Sequence, residues 1–266
     1  MKHIEPNTES KDETSKLRYL TATPSASWMT SFLGLIRRKL DFDEFRARGR
    51  AICILKAMNL KPGDSLLDVG SCEGYFPIVA SRIGVRTAVG VELNRVFVAR
   101  AYRNAREMGV DCDFILGDAE FLPLRGGAIE KVLCAETLEH VPNELPVIKE
   151  LVRVTNSMIC VSVPNELQTH YSKIHEFHHP GHVRHFTEAS LRSSFVALGA
   201  RPTQFRNTGV VAMPRRIFSR LPMRLLKVLY RVDFVLGQIP LLRLFGTTFL
   251  MTSSKVAAPV PPLRAE

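Results

Sequence analysis

The sequence lacks the features that mark a secreted or a membrane-spanning protein. None of its five cysteines forms a C-x-x-C pair, and most stand in apolar surroundings, which favours reduced thiols and a cytosolic protein. The first 16 residues are polar and contain no apolar run of the kind that a secretory signal needs. The uncharged stretch 19–36 is rich in Thr and Ser and makes a poor transmembrane candidate. We therefore expect a cytoplasmic protein, with peripheral attachment to the inner membrane face left open.

Internal repeats are also missing, and acidic residues are too few to balance the basic ones. The chain has 266 residues, 45% of them apolar, which is enough for a sizeable core. Its net charge of +10 suits an anionic partner such as nucleic acid, a membrane surface or a phosphorylated substrate, without choosing among them. Residues 1–18 and 256–266 have the composition of a disordered and a flexible tail.

Between these tails, stretches of strand length alternate with helical patterns. Strands are predicted near 65–70, 87–92, 112–118, 129–136, 158–164, 203–208 and 246–255, and helices near 41–58, 75–83, 95–108, 144–154 and 187–198. This alternation predicts an α/β fold with a mostly parallel sheet. Ligands of such sheets bind beyond the carboxyl ends of the strands, so we expect the chemistry in the loops that follow the first five strands.

A glycine-containing loop follows the first predicted strand and leads into a helix. Gly70 and Gly74 permit a tight turn and a close approach of the backbone to a ligand. Glu92 follows Gly70 by 22 residues, at the end of the second strand, where an acidic side chain can hold ribose hydroxyls. The loop lacks the middle glycine of a dinucleotide fingerprint, because Cys72 stands there, and Glu73 would repel a pyrophosphate. S-adenosylmethionine has no phosphate and meets neither objection.

Four segments, LLDVGSCEGYF, VGVEL, LGDAEFLPL and VLCAETLEHV, resemble successive motifs of the class I S-adenosylmethionine-dependent methyltransferases. The likeness covers roughly residues 60–208 and departs at Cys72, where many members have glycine. It implies a Rossmann-like seven-stranded sheet, mostly parallel with an antiparallel last strand, and helices on both faces. It also implies S-adenosyl-L-methionine as the cofactor, held by residues that the resemblance assigns by position: Asp68, Gly70, Ser71, Cys72 and Gly74 around the methionine part, Glu92 at the ribose, Leu93, Asp118 and Ala119 at the adenine, and Cys134 and Ala135 near the sulfonium.

The segment from Glu136 to His140, ETLEH, carries the candidate catalytic groups. Glu136, Glu139 and His140 are three and four residues apart, so they would converge on one helical turn. An oxygen acceptor needs its proton removed by a base, or its pKa lowered by a metal ion. The pattern resembles that of quinone-biosynthesis O-methyltransferases and small-RNA 2′-O-methyltransferases, in which the two acids and the histidine bind a divalent ion.

In the RNA enzymes a later histidine joins that metal set, and His182 matches it here. Three readings stay open: a metal held by Glu136, Glu139, His140 and His182, a metal-free catalytic role for His140, and structural roles alone. Six of the eight histidines fall between His170 and His185, but their spacing contains no paired metal-ligand pattern of its own. That stretch follows the fifth strand, where the resemblance places a loop that helps to form the acceptor site.

A basic and apolar segment, residues 214–245, separates the last two predicted strands. Its helical spacing predicts an amphipathic helix with basic and apolar positions, Arg220, Arg224, Lys227 and Arg231 on one side and Leu225, Leu226, Leu229, Val232 and Val235 or Leu236 on the other. Such a helix could cover the acceptor pocket, form a subunit contact, lie on a membrane surface or contact nucleic acid. The remaining predicted parts are an N-terminal helical cap (19–58), a cofactor-binding core (59–213) and a last strand (246–255).

These observations predict O-methylation of a small or lipid-linked acceptor by in-line methyl transfer. The alternatives are a metal-dependent RNA 2′-O-methyltransferase, favoured by the charge of +10 and by His182, and a cofactor-binding regulatory protein without catalysis. The expected partners are a small-molecule or lipid-linked acceptor and an anionic membrane surface, with RNA less favoured. The oligomeric state stays undetermined.

Overall fold

The computed structural model of the protein describes residues 45–165, 182–210, 221–239 and 246–255. In these ranges the helices are α1 Phe45–Met58, α2 Tyr75–Ile83, α3 Arg95–Met108, α4 Glu144–Val154, α5 Glu188–Ala197 and α6 Met223–Leu236. The strands are β1 Ser65–Val69, β2 Thr87–Glu92, β3 Asp113–Leu116, β4 Ile129–Ala135, β5 Thr155–Pro164, β6 Ala200–Thr208 and β7 Thr248–Lys255, and a short 3-10 helix covers Leu138–His140. The predicted tails, 1–18 and 256–266, lie outside the described residues.

The seven strands form one sheet in the order β3-β2-β1-β4-β5-β7-β6. Strands β1 to β5 pair in parallel, whereas β7 runs antiparallel to both β5 and β6. The predicted fold class, with its antiparallel last strand, is therefore confirmed. Two strands begin three residues earlier than predicted, because Thr155 pairs with Ile129 across a register shift and Ala200 pairs with Lys255. Such pairings depend on a distant strand and leave no signal in the local sequence.

The helix ends follow local signals that are visible in the sequence. The Asn94 side chain caps α3 by accepting from the Val96 N–H, and Gly109 ends the same helix in the left-handed conformation. Thr187 and Ser190 form a reciprocal capping box at the start of α5. These caps satisfy backbone groups that have no partner inside the helix, which explains why the predicted bounds of α3 agree with the structure.

The sheet separates two apolar layers. One layer packs α1, α2 and α3 against one face, around side chains such as Ile54, Ile78 and Leu66. The other packs α4 and α5 against the opposite face, around side chains such as Ile148 and Phe195. Because both faces are covered, the central strands read as continuous apolar runs rather than as alternating patterns.

Helix α6 belongs to the predicted insert, of which the structure describes residues 221–239. It packs on α1 and on β6. The buried Asp233 carboxylate accepts a hydrogen bond from the Gly209 N–H at 3.0 Å, and the Gly237 carbonyl accepts from the Asn207 N–H at 3.1 Å. These bonds hold α6 at the carboxyl end of β6. Among the described residues, no helix has both the length and the apolar character needed to cross a membrane.

Candidate active site

The loop between β1 and α2 is held in one shape by its glycines. The N–H groups of Gly70 and Ser71 both donate to the Val91 carbonyl, at 2.8 and 3.1 Å, which ties the loop to β2. Gly70 has φ +77°, and a Cβ there would lie 2.2 Å from the Thr137 hydroxyl oxygen. Gly74 has φ +84°, and a Cβ there would lie 2.5 Å from the Phe114 ring. Only glycine fits at these two positions, so the loop packs closely against Thr137 and Phe114.

Glu92 joins this loop to the end of β2. Its two carboxylate oxygens accept from the Cys72 N–H at 2.9 Å and from the Asn94 N–H at 2.8 Å. Each oxygen keeps a second lone-pair direction, which suits the pair of vicinal hydroxyls of a ribose. Cys72 has φ +49°, and its side chain is exposed at the surface of the loop. Partial desolvation of the sulfur raises the pKa of the thiol, which disfavours the nucleophilic thiolate.

Asp68 and Ser71 place buried polar groups beneath the loop. Asp68 is 2% exposed, and burial, with a smaller contribution from the Glu92 charge, raises the pKa of its carboxyl to about 8. The Ser71 hydroxyl oxygen is buried without a hydrogen-bond partner among the described residues. A cationic ligand group near Asp68 would favour the ionised carboxylate, which is the form that burial disfavours.

The predicted adenine side lies where β2 and β3 end. Leu93 and Phe121 expose 70% and 76% of their surface, so each offers an apolar face to a ligand. Asp118, three residues before Phe121, has an exposed side chain. Its carboxylate accepts a hydrogen bond from the Glu120 N–H at 2.9 Å. Ala119, next to it, is half-buried. An aromatic base between two exposed apolar side chains and a carboxylate would be both covered and hydrogen-bonded.

Glu136 does not converge with the other predicted catalytic groups in the way the helical spacing suggested. It has φ +51°, and one carboxylate oxygen accepts from the Arg50 guanidinium at 2.7 Å while the other accepts from the Ser162 hydroxyl at 3.0 Å. The chain leaves β4 in an irregular turn, and only residues 138–140 form a 3-10 helix. The spacing rule for an α-helix therefore does not apply to this segment.

A cluster of three side chains, Glu139, His140 and His182, lies just beyond the carboxyl end of β4. Their potential ligand atoms all lie within 4.8 Å of one another, and the two imidazole rings meet edge to face with centroids 4.9 Å apart. Glu139 is buried, His182 is half-buried and His140 is exposed. The Glu139 carbonyl accepts from the N–H groups of Val183 and Arg184, which positions His182 beside His140. Three of the four predicted metal ligands thus lie together.

Of the remaining predicted site residues, two lie at the end of β4 and four lie outside the described residues. Cys134 is buried, burial raises the pKa of its thiol far above the ordinary value, and Ala135 is half-buried at the end of β4. His170, His175, His178 and His179 lie outside the described residues.

Three residues at the site carried no recognisable signal in the sequence. Arg50 is 86 positions away from Glu136, and Ser162 is 26 positions away. Thr137 donates to the carbonyls of Val69 and Ala135 and packs directly on Gly70. The sequence indicates which residues follow strand ends, but it does not indicate which of them meet from different strands.

Comparison with known families gives one domain match. Residues 67–158 match the family model described as a methyltransferase domain. The match begins within β1 and ends within β5, so it contains the glycine loop, Glu92, Asp118 and the ETLEH segment. His182 and the α6 helix lie outside it.

Two curated relatives are similar over about a third of the chain. One is protein-L-isoaspartate O-methyltransferase 2 of Rhodopseudomonas palustris, 30% identical over 89 residues, or 33% of this chain and 41% of the relative. Another is the ubiquinone biosynthesis O-methyltransferase of Xanthomonas campestris pv. campestris, 34% identical over 90 residues, or 33% of this chain and 37% of the relative. The matches thus span less than half the length of these relatives.

A solved structure resembles the fold over most of the chain. A chain of the complex between the Haloferax volcanii Trm112 methyltransferase activator and a methyltransferase superposes with a TM-score of 0.61. The two are 16% identical, and the superposition covers 86% of this chain and 98% of that one. At this identity the likeness shows the fold.

Proposed function

We propose that this chain is a class I S-adenosylmethionine-dependent methyltransferase that methylates an oxygen atom of a small or lipid-linked acceptor. The match of residues 67–158 to a methyltransferase domain supports the reaction class. The observation that carries the proposal is the Glu139, His140 and His182 cluster, because its candidate base, His140, follows by three residues Thr137, which packs on Gly70 of the glycine loop. Both curated relatives described above are O-methyltransferases by name, which supports an oxygen acceptor.

The residues present fit the cofactor. The glycine loop from Gly70 to Gly74, the buried Asp68 carboxyl and the Ser71 hydroxyl would receive its methionine part. Glu92 would accept from the ribose hydroxyls, and Leu93, Asp118 and the backbone of Ala119 would receive the adenine. Phe121 would add a second apolar face. When bound, S-adenosylmethionine supplies an activated methyl group on a sulfonium, whose carbon–sulfur bond breaks with the electron pair remaining on sulfur.

The protein's own contribution is to align the acceptor and to remove its proton. His140 is exposed at the exit of β4, where an acceptor hydroxyl could donate to its imidazole. His140 would take that proton as the acceptor oxygen is methylated. The buried Glu139 carboxylate lies close enough to stabilise the resulting imidazolium. Arg50 and Ser162 hold Glu136 away from this step.

The same cluster also fits a divalent ion, since one carboxylate and two imidazoles suit Mn²⁺ or Zn²⁺. Glu139, His140 and His182 would hold the ion, and it would lower the pKa of an acceptor hydroxyl. Glu136 would have to leave Arg50 and Ser162 to become a fourth ligand. Assay with and without a chelator separates the two routes, because full activity in chelator requires the metal-free role of His140.

The decisive experiment is transfer of labelled methyl from S-adenosylmethionine into fractionated lysate. His140→Ala is the test variant, and His185→Ala is the matched control, since His185 is an exposed histidine outside the cluster. We expect label in the lipid or small-molecule fraction, lost in His140→Ala and retained in His185→Ala. Label in RNA would favour the 2′-O-methyltransferase, and cofactor binding without transfer to any fraction would favour a regulatory protein.

A further inference from the structure

Helix α6 exposes a continuous apolar stripe. Five side chains of this helix and of the turn that follows it are 40–55% exposed: Leu225, Val228, Val232, Val235 and Ile239. The first four are spaced by three, four and three residues, which places them on one face of α6, and Ile239 follows in the turn. The protein buries a different face of the same helix, on which Leu226, Tyr230 and Asp233 pack towards α1 and β6.

The anchored face shows that the exposure of the stripe follows from the fold. Asp233 is 1% exposed and accepts from the Gly209 N–H, while the ring of Phe234 receives the cations of Lys56 and Arg206 at 4.4 and 4.9 Å. A hydrogen bond and two cation–π contacts, from α1 and from the end of β6, set the rotation of α6 about its axis. With that rotation set, the stripe faces outward.

Basic side chains line the stripe. Arg224 and Arg231 are exposed along one border, Lys227 is half-buried, and neither arginine forms an ion pair with a described residue. The one acidic residue between 221 and 239 is Asp233, and it is buried against the protein. The outward surface of α6 is therefore apolar in its centre and positive at its edge.

We propose that α6 docks this protein on an anionic membrane surface, with the stripe in the headgroup region and Arg224 and Arg231 at the lipid phosphates. An amphipathic helix with an apolar centre and basic flanks binds such a surface through both contributions. The charge of +10 of the whole chain adds long-range attraction to the same surface.

A second copy of the chain suits the stripe less well. The positions that border the stripe are Arg224, Arg231 and Gln238 on one side and Leu229 and Leu236 on the other. No acidic residue is available there to pair with the arginines of a partner helix, and the 14 residues of α6 make two heptads. An anionic surface complements the arginines, whereas an identical helix does not.

Helix α6 lies at the same edge of the sheet as the candidate active site. Strand β6 runs parallel to β1–β5, and α6 is tied to its carboxyl end, so the helix lies on the edge of the sheet that carries the glycine loop and the Glu139 cluster. Docking through α6 would bring that edge close to the bilayer. The proposal does not depend on the proposed function, because binding is measured without acceptor or cofactor.

The test is flotation of the full chain with phosphatidylcholine vesicles that contain about 30% phosphatidylglycerol, beside vesicles of phosphatidylcholine alone. We expect binding to the anionic vesicles that weakens with salt and with removal of the anionic lipid. Val228→Asp with Val235→Asp should lower the bound-to-free ratio about tenfold or more, since two exposed valines leave the lipid contact. Val196→Asp, an equally exposed valine on α5, is the matched control and should bind like the parent.

A second pair of variants separates local charge from net charge. Arg224→Gln with Arg231→Gln and Arg103→Gln with Arg201→Gln each lower the net charge from +10 to +8 by removing two exposed arginines. The first pair should lose about fivefold per arginine in the bound-to-free ratio, whereas the second should lose much less. Equal losses in both pairs, no binding to anionic vesicles, or binding to single-stranded RNA in place of vesicles would each overturn the proposal. Far-ultraviolet circular dichroism confirms that each variant is folded.

Discussion

Gly70 lies where the loop after β1 meets the segment after β4. Its positive φ and its contact with Thr137 are two separate reasons for glycine, and they can be measured separately. Gly109 offers the comparison, because it has φ +60° but no atom lies within 4 Å of the place that a Cβ would take there. The closeness of Thr137 could not be read from the sequence, since 67 positions separate the two residues.

We predict that Gly70→Ala destabilises the cofactor-free protein more than Gly109→Ala does. Both variants bear about 1–2 kcal/mol of left-handed strain. Only Gly70→Ala adds a clash with Thr137, which should cost about 1–3 kcal/mol more. Urea unfolding of the two variants measures the difference. Equal free energies of unfolding would show that Thr137 moves aside without cost.

The raised pKa of the Asp68 carboxyl predicts that the stability of the protein depends on pH. Its folded pKa of about 8 lies above the ordinary value of about 3.9, so between these values the folded carboxyl keeps a proton that the unfolded one has lost. The free energy of unfolding should therefore fall as the pH rises from about 4 to about 8, and this contribution should be constant at higher pH. Asp68→Asn removes the titrating group. Urea unfolding at pH 6 and at pH 8 should show a smaller decline in the variant than in the parent, and identical declines would contradict the raised pKa.

At the scale of the elements, an ion pair connects α1 to the site. Arg50 on α1 binds Glu136 at 2.7 Å, with 27% and 22% of the two side chains exposed. Glu136 in turn contacts β5 through Ser162. The helix that precedes the methyltransferase domain thus reaches the exit of β4, although the sequence placed it only as an N-terminal cap.

We predict a coupling of about 1 kcal/mol between Arg50 and Glu136, because partial burial weakens solvent screening. A double-mutant cycle with Arg50→Met and Glu136→Gln measures it by urea unfolding. The control cycle is Arg100→Met with Glu73→Gln, a pair at the similar distance of 2.8 Å whose side chains are 51% and 28% exposed. The control should give about 0.3 kcal/mol. A coupling no larger than that of the control would refute a structural role for the Arg50 pair.

At the scale of the molecule, the methyltransferase domain does not contain the whole sheet. The matched residues 67–158 end within β5, and β5 pairs with β7 along its length from Met158 to Pro164. Removing β6 and β7 would turn β5 into an edge strand whose Cys160, Val161 and Val163 are buried in the complete fold. An exposed apolar edge of this kind promotes association between chains.

We predict that a fragment of residues 59–165 does not fold to a stable monomer, whereas the full chain does. The fragment loses the pairing partner of β5 and the apolar cover that α1, α5 and β7 provide. Size-exclusion chromatography and the cooperativity of urea unfolding would report the difference. A monomeric fragment with a cooperative transition would show that the domain is independent of the last two strands.

The sequence by itself determined the order of the elements, the glycine loop and the similarity of residues 67–158 to a methyltransferase domain. These depend on local periodicity, on capping residues and on motifs whose members are close in the chain, as Asn94, Gly109 and Thr187 illustrate. It also identified His182 as a partner of Glu139 and His140, through the resemblance to a known motif.

Only the tertiary structure decided which of these residues meet. It separated Glu136 from the cluster by offering it Arg50 and Ser162, and it turned one face of α6 inward through Asp233 and left the stripe outside. The physical reason is the same in each case. A charged or apolar side chain takes its role from the partners that long-range packing brings within contact distance, and those partners are many positions away in the chain.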